Sequence, residues 1–313
     1  MISQKLFNFL TKKDLSKKDL EFVRTNIPSL LMKASENRLE LFFLDMLRSK
    51  LPIEFEEKGL QEVLNKGLSL ESKRKDTIID ITNAFSRKLL FVKSIYPFPA
   101  LTSDLDVLLE NESDYDEFLN VSKKQSFSYT EDEEYKGSLY KTDRLKVEPH
   151  KRISWYGQVF VDNTFLFKDS VLSNTEGLNL QTPGPASTLV VAVAHIFFDC
   201  QYVSLRELML LGGIVDNPVL VEGAREQSVL YGWSNEFDYT LDIITTTLGR
   251  LNQGEFNKDL PIWLSLPRVV SKFVCMPLSA SYLSNIFLVI ASYYWKRLKM
   301  KTSKNVYRNS WLY

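Results

Sequence analysis

Apolar residues recur at three- and four-residue spacing over the first 90 positions, with charged residues between them. This spacing is typical of amphipathic helices, and residues 39–47 show it most clearly. Pro28 and Pro52 are expected to interrupt the helices. Residues 71–88 carry apolar side chains on one side and Lys and Arg on the other, so one long helix is predicted there.

The pattern changes after residue 88, where short apolar runs alternate with turns. Strands are predicted at 89–93, 104–109, 139–140, 145–150 and 159–161, with one helix at 115–123. The acidic run at 131–134 is interpreted as a solvated loop.

Helical spacing returns from residue 187, with a helix stop at Gly212 and further helices around 221–231 and 236–251. The pattern as a whole predicts an α+β fold with a small mixed β-sheet. We expect an N-terminal helical region (1–88), a core that holds the sheet (89–170) and a C-terminal helical domain (171–313).

Charge and composition add little to this picture except at the C-terminal end. The 313 residues carry 39 basic and 39 acidic side chains, an ordinary globular balance. After Asp259 there are only basic charges, so this end is expected to contact nucleic acid or a membrane surface. Residues 273–295 are uncharged and long enough for a bilayer span, but Pro277 and Asn285 favour a packed helix over a span or surface attachment.

Two cysteines and two histidines limit the metal and redox chemistry of the chain. Cys200 and Cys275 lie in apolar stretches, which favours free buried thiols in a reducing compartment. So few ligands argue against a His/Cys zinc site. The first residues lack the apolar core of a signal peptide, and we expect a cytoplasmic protein.

Two aspartates lie two positions apart in the predicted strand at 104–109. Because side chains alternate along a strand, Asp104 and Asp106 share one face while Leu105 and Val107 occupy the other. In apolar surroundings, two like charges this close are neutralised by a hard divalent cation. The pair therefore indicates a Mg²⁺ site, although Asp-x-Asp also occurs by chance in turns and solvated strands.

The order of these features resembles the DNA polymerase beta nucleotidyltransferase superfamily, with a helix, a Gly-Ser turn, an Asp-x-Asp strand and an acid on a later strand. Here Lys93 and Ser94 stand at that turn, with Lys in place of the usual Gly. A branch of uncharacterised bacterial and archaeal nucleotidyltransferases is more similar. Its Asp-x-His strand resembles residues 148–150, and its His helix and the helix after it resemble the segments at His195 and Arg206.

The resemblance covers about residues 20–250 and implies a nucleotidyltransferase core that moves an NMP from an NTP to a hydroxyl group on RNA, tRNA, a protein or a small molecule. It implies that Asp104, Asp106 and Glu148 are catalytic and bind Mg²⁺ or Mn²⁺. It implies nucleotide binding by Lys93, Ser94 and Ser103, and a supporting role for His150, His195 and Arg206.

Several of these assignments have structural alternatives. Glu148 and His150 are alternatively solvated strand residues, with Asp143 or Asp162 as the third acid. His195 fits a core histidine, and Lys93 fits a snorkelling surface side chain. Arg206 is alternatively paired with the helix neighbours of Glu207 or with a C-terminal carbonyl. The alternative function is a non-catalytic binding protein that keeps the nucleotidyltransferase fold and lies at a membrane through its basic, apolar C-terminus.

Overall fold

The chain is a mixed structure of helices and strands in a computed structural model, which describes residues 2–93, 95–100, 102–133, 135–155, 158–175, 177–274 and 289–298. A mixed five-stranded sheet confirms the predicted α+β class. Two compact units are present. The sheet unit comprises Glu62–Ala194 and Leu210–Asp238, and the helical unit comprises the described parts of Met1–Gln61, His195–Met209 and Tyr239–Tyr313. The boundaries 1–88, 89–170 and 171–313 stay a prediction.

The helices are α1 (Ile2–Thr11), α2 (Lys17–Glu36), α3 (Glu40–Lys50), α4 (Pro52–Glu57), α5 (Gln61–Ala84), α6 (Asp114–Lys124), α7 (Asn163–Lys168), α8 (Pro185–Ala194), a π-helical turn (His195–Cys200), α9 (Leu205–Leu211), α10 (Pro218–Leu230), α11 (Ser234–Gln253) and α12 (Leu266–Val274). Residues 289–298 are also helical. The strands are β1 (Leu89–Val92), β2 (Asp104–Leu109), β3 (Ser128–Glu133), β4 (Lys136–Tyr140), β5 (Lys146–His150), β6 (Ser154–Trp155), β7 (Gln158–Val159), β8 (Val171–Thr175), β9 (Leu178–Thr182), β10 (Tyr202–Val203) and β11 (Ile262–Trp263).

The five-stranded sheet has the order β1-β2-β5-β4-β3. The central strand β2 runs antiparallel to β1 and parallel to β5, and the remaining pairs are antiparallel. Strands β1, β2 and β5 lie where the alternating pattern predicts them. The loop predicted at 131–134 is wrong for residues 131–133, which belong to the edge strand β3, where charged side chains are tolerated. Glu134 lies outside the described residues.

One face of the sheet packs into the main apolar core of the sheet unit. Leu105, Val107 and Leu109 of β2 lie in this core with Phe91 of β1 and Val147 of β5. These alternate positions face α5 and α6, which contribute Ile78, Ile81, Tyr115, Phe118 and Leu119 to the same cluster. The remaining positions of β2 and β5 project from the opposite face of the sheet, and they include Asp104, Asp106 and Glu148.

Helix α5 is held on the turn between β4 and β5 by polar contacts. Asp80 accepts bonds from Lys141 Nζ at 2.7 Å and Arg144 Nε at 2.9 Å, and Thr77 Oγ1 accepts one from the Leu145 amide at 2.9 Å. The helix ends at Ala84, so the prediction that it continues to residue 88 is wrong at that end. Phe85 turns into the core instead.

Other features differ from the sequence pattern in ways that have local causes. Pro28 does not end a helix but lies within α2, where Asn26 leaves helical geometry and forms a kink. Pro52 does mark a break, because it begins α4. The β8–β9 hairpin was not predicted, because its strands are only five residues long and each includes several polar residues. Gly212 follows the end of α9, as predicted.

Much of the C-terminal end lies outside the described residues, including 275–288 of the predicted apolar segment, Cys275 and the basic residues after 298. Among the helices that the structure describes, none is long and apolar enough to cross a membrane. Cys200 is a buried free thiol, as predicted. The predicted cytoplasmic location and the predicted contacts of the basic end stay predictions.

Truncation of Leu105 should destabilise the sheet unit. Leu105 is 0% exposed in the centre of the core, so Leu105→Ala removes buried methyl groups and leaves a cavity. We expect a loss of about 2–5 kcal/mol in the free energy of unfolding, measured by urea denaturation. Leu172→Ala is the matched control, because Leu172 is 73% exposed and its truncation should cost less than about 0.5 kcal/mol. Equal losses in the two variants would contradict this packing.

The ion pairs of Asp80 predict a pH-dependent contribution to stability. Burial alone would raise the pKa of Asp80, but bonds from Lys141 and Arg144 outweigh it and lower the pKa below 3.8. A carboxyl with a lowered folded-state pKa stabilises the fold above its ordinary pKa and loses this contribution as the pH falls through the lowered value.

We therefore expect Asp80→Asn to cost roughly 1–3 kcal/mol near pH 7. The difference from the unchanged chain should shrink below about pH 4, in urea denaturation curves recorded at both pH values. A difference that stays constant across this range would show that the charge of Asp80 is not what stabilises α5.

Candidate functional site

The polar face of the sheet gathers acidic and basic residues because β2 and β5 are paired in parallel register. Asp104 is opposite Lys146, Asp106 is opposite Glu148, and Leu108 is opposite His150. Paired residues on neighbouring strands project from the same face, so the two aspartates and Glu148 lie on one side of the sheet. The alternation of acidic and apolar side chains predicted for residues 104–109 therefore extends to the neighbouring strand β5.

Asp106 is buried and lies at the centre of this group. Its Oδ1 lies 3.0 Å from Lys93 Nζ and 2.9 Å from His150 Nε2, which donates a hydrogen bond to the carboxylate. Burial alone would raise the pKa of Asp106, but the charge of Lys93 and the bond from His150 outweigh it and hold the pKa well below its usual range. Asp106 is therefore ionised at neutral pH despite its burial.

Glu148 is also buried and is held by two lysines. Lys136 Nζ lies 3.3 Å from Oε2, and Lys146 Nζ bonds to Oε1. Burial and the neighbouring Asp106 raise the pKa of Glu148, but these ammonium groups reverse the shift and lower it overall. Two adjacent carboxylates are thus kept ionised by a set of surrounding cations.

Asp104 differs from the other two carboxylates because it is half-buried and weakly paired. Its Oδ2 lies 3.9 Å from Lys146 Nζ. Burial, followed by the charges of Asp106 and Glu148, raises the pKa of Asp104 above 3.8. The face therefore holds carboxyl groups whose proton affinities are shifted in opposite directions, a feature that is frequent at functional sites.

Lys93 enters this face through an unusual backbone conformation. It follows β1 directly and has a φ of +58°, in the left-handed region that favours glycine. Its ammonium group lies over the ring of Trp155, 5.1 Å from the centroid, as well as beside Asp106. The side chain is 15% exposed, so the surface-residue alternative for Lys93 does not describe it.

The donor atoms on this face suit a divalent cation. One possible ligand atom from each of Asp106, Glu148 and His150 lies within 4.8 Å of the others, and all three residues are buried. His150 Nδ1 is buried and is without a hydrogen-bond partner among the described residues. Carboxylate oxygens are the ligands that Mg²⁺ and Mn²⁺ prefer, so the residues present fit such an ion. Asp104 lies next to this group rather than within it.

The other nucleotide-binding and third-acid candidates have varied positions. Ser94 lies outside the described residues, and Ser103 is exposed just before β2. Asp143 lies in a turn, with its side chain 79% exposed and 3.7 Å from Lys73. Asp162 precedes α7. Of the candidates for the third acid, Glu148 is the one beside Asp106 in the sheet.

His195 and Arg206 belong to the helical unit. Arg206 is buried and donates from Nε and Nη2 to Oε1 of Glu207, at 3.0 and 2.7 Å, so it forms an ion pair with its neighbour in α9. His195 lies in the π-helical turn beside Asp199 and Cys200. Burial alone would lower the pKa of His195, but Cys200 and Asp199 raise it to about 9.

Lys136 and Lys146 were not predicted for this face. Lys146 could have been found, because it lies two residues before Glu148 in a predicted strand and so shares its face. Lys136 comes from β4, and its approach to Glu148 depends on the antiparallel pairing of β4 with β5. That pairing is long-range in the sequence, and no local pattern reveals it.

No family model, curated protein or solved structure matches this chain.

The left-handed backbone at Lys93 predicts that glycine is more stable than alanine at this position, the reverse of their order in a strand. Lys93→Ala and Lys93→Gly both remove the ammonium group, but only alanine keeps a Cβ at a φ of +58°. We expect the Gly variant to be more stable by about 1 kcal/mol in urea denaturation.

The same pair of substitutions at Lys146 is the control. Lys146 lies in the extended strand β5, where glycine should be the less stable variant by about 0.5–1 kcal/mol. The same order at both positions would contradict the left-handed conformation of Lys93.

Proposed function

We propose that the protein is a metal-dependent nucleotidyltransferase that moves an NMP from an NTP to a hydroxyl group. The observation that carries the proposal is the pairing of Asp106 with Glu148 across two parallel strands, with Asp104 on the same face. Buried carboxylates that lie close together destabilise a folded protein, so a protein that keeps them commonly uses them to hold cations. The acceptor is an RNA or tRNA, a protein or a small molecule.

The local fold supports the proposal in its order of elements. Helix α5 leads into β1, a turn at Lys93 follows, β2 carries Asp-x-Asp, and β5 carries the later acid. This is the order that the superfamily resemblance implies. The backbone of Lys93 adopts the left-handed conformation that a glycine adopts readily, so replacement of the usual Gly leaves a Gly-like turn.

Asp106 and Glu148, with Asp104 and His150 beside them, would hold the Mg²⁺ or Mn²⁺. A bound ion of this kind polarises phosphoryl oxygens and offsets the charge that develops on them. The chain's own contribution is to keep both buried carboxylates ionised through Lys93, His150, Lys136 and Lys146.

The three lysines on this face would bind the phosphates of the nucleotide. Lys93, Lys136 and Lys146 all place ammonium groups at the carboxylates, so they can turn to an anionic ligand with small side-chain movements. An ammonium group is a strong partner for phosphate oxygens. Among these lysines, the resemblance implies this role for Lys93, beside Ser94 and Ser103, and the geometry favours adding Lys136 and Lys146.

Asp104 is the carboxylate best placed to accept a proton from the acceptor hydroxyl. It is half-buried and has a 3.9 Å contact with Lys146, whereas both oxygens of Glu148 are engaged by lysines. A general base must be accessible to the substrate and lie within hydrogen-bonding distance of the hydroxyl group whose proton it accepts. Asp104 is therefore the proposed base, and Glu148 has the proposed metal-binding role.

One observation favours the alternative of a non-catalytic binding protein. Three lysines already surround Asp106 and Glu148 with positive charge, and His150 adds a hydrogen bond to Asp106, so this group does not require a metal for charge balance. Such a protein would bind a nucleotide without turning it over. Nucleotide binding and label transfer are therefore measured separately.

Loss of either buried carboxylate should abolish transfer. With labelled NTPs, Mg²⁺ or Mn²⁺, and cellular RNA or protein as acceptors, we expect label transfer by the unchanged chain. Asp106→Asn and Glu148→Gln should each reduce it at least about 100-fold, because each removes charge that the reaction requires. Asp143→Asn is the matched control and should keep full activity, because the side chain of Asp143 is 79% exposed in a turn and is paired with Lys73.

Folding of each variant is checked by circular dichroism, and NTP binding by calorimetry. Binding without transfer would favour the non-catalytic alternative. An unchanged chain that folds but neither binds an NTP nor transfers label would refute the proposal. Loss of activity in Asp143→Asn with retention in Glu148→Gln would reassign the third acid.

A further inference from the structure

The π-helical turn His195–Cys200 of the helical unit brings together three different ligand types. In this wider turn, residues four and five positions apart lie on the same side, so His195 meets both Asp199 and Cys200. Single π-helical turns inside α-helices are frequent at functional sites, and this one directly continues α8. The turn takes no part in the proposed nucleotidyl transfer.

Two distances within this cluster are close to those between ligands of one tetrahedral ion. His195 Nε2 lies 3.1 Å from Asp199 Oδ2 and 3.5 Å from Cys200 Sγ. Cys200 Sγ also lies 3.7 Å from Nδ1 of His195, so the imidazole ring must turn for Nε2 to face an ion that it shares with the thiol. Usual zinc bond lengths with tetrahedral angles place nitrogen and oxygen ligands about 3.3 Å apart, and nitrogen and sulfur ligands about 3.6 Å apart. The possible ligand atoms of all three residues lie within 4.8 Å of one another.

We infer that His195, Asp199 and Cys200 form a zinc-type transition-metal site with three protein ligands and one open position. The sequence argued against a His/Cys zinc site, because it offers too few histidines and cysteines. A carboxylate supplies the third ligand here, and it comes from the same turn as the other two. A thiolate and an imidazole favour zinc over Mg²⁺, which separates this site from the carboxylates of the sheet unit.

The surroundings of the cluster suit ligand positioning and access. Lys296 Nζ donates to Asp199 Oδ1 at 2.9 Å, which leaves the contact of Oδ2 with His195 in place and fixes the orientation of the carboxylate. Cys200 is 5% exposed, whereas the side chain of Asp199 is 38% exposed. The thiol is therefore sheltered on the protein side, and an ion can approach from the solvent side of Asp199.

Cobalt substitution tests the site directly. When Co²⁺ is titrated into the full chain under reducing, oxygen-free conditions, we expect one equivalent to produce a near-ultraviolet thiolate-to-cobalt absorption band and tetrahedral visible bands. One equivalent of Zn²⁺ should remove both. Cys200→Ser should abolish the thiolate band, and Lys296→Met should weaken Co²⁺ binding by about 10–100-fold.

Two variants serve as controls. Cys275→Ser removes the only other thiol of the chain, and Asp106→Asn disrupts the carboxylate group of the sheet unit. Both should keep the thiolate band. Because the band reports sulfur coordination and not nucleotide chemistry, it does not depend on whether the chain transfers nucleotides.

His195→Gln and Asp199→Asn give a second measure if Cys200→Ser fails to fold, since each should weaken Co²⁺ binding while circular dichroism stays unchanged. A folded, unsubstituted chain without a thiolate band would overturn the inference and leave a hydrogen-bonded cluster. A band that survives in a folded Cys200→Ser variant would overturn it as well.

Discussion

The sheet unit depends on the compensation of two buried carboxylates that lie side by side. Asp106 and Glu148 face each other across β2 and β5, and neither could remain ionised in this position alone. Lys93 and His150 hold the first, and Lys136 and Lys146 hold the second. These partners come from the end of β1, from β4 and from β5, so the arrangement of the strands and the charge state of the acids depend on each other.

The same register also places the core. Leu105, Val107 and Val147 pack on one face because Asp106, Glu148 and the other alternate positions occupy the other face. A shift of β2 by one residue would turn Asp106 into the core and Leu105 out of it. Core packing therefore enforces the convergence of the acids on the opposite face of the sheet.

Strand β2 could be predicted to the residue, because alternation of apolar and acidic positions is a local pattern. The contacts of the acids could not, because His150 reaches Asp106, and Lys136 reaches Glu148 of β5, through strand pairing distant in the sequence. The acidic part of β3 was mistaken for a loop since an edge strand can carry charges. The turn at 195–200 has the apolar pattern of an ordinary helix, so its π-helical geometry was also hidden.

Lysine rather than glycine at position 93 changes the charge of this face of the sheet more than it changes the backbone. A glycine would reach a φ of +58° without cost, but it would remove the ammonium group from Asp106 and leave the hydrogen bond from His150. Lysine is strained in this left-handed backbone conformation, but it places an ammonium group 3.0 Å from Asp106. A divalent ion at this site would have to compete with that group for the carboxylate. The ammonium group displaced by the ion would then be close to the same charge cluster and available to an anionic ligand, so metal and phosphate binding would favour each other.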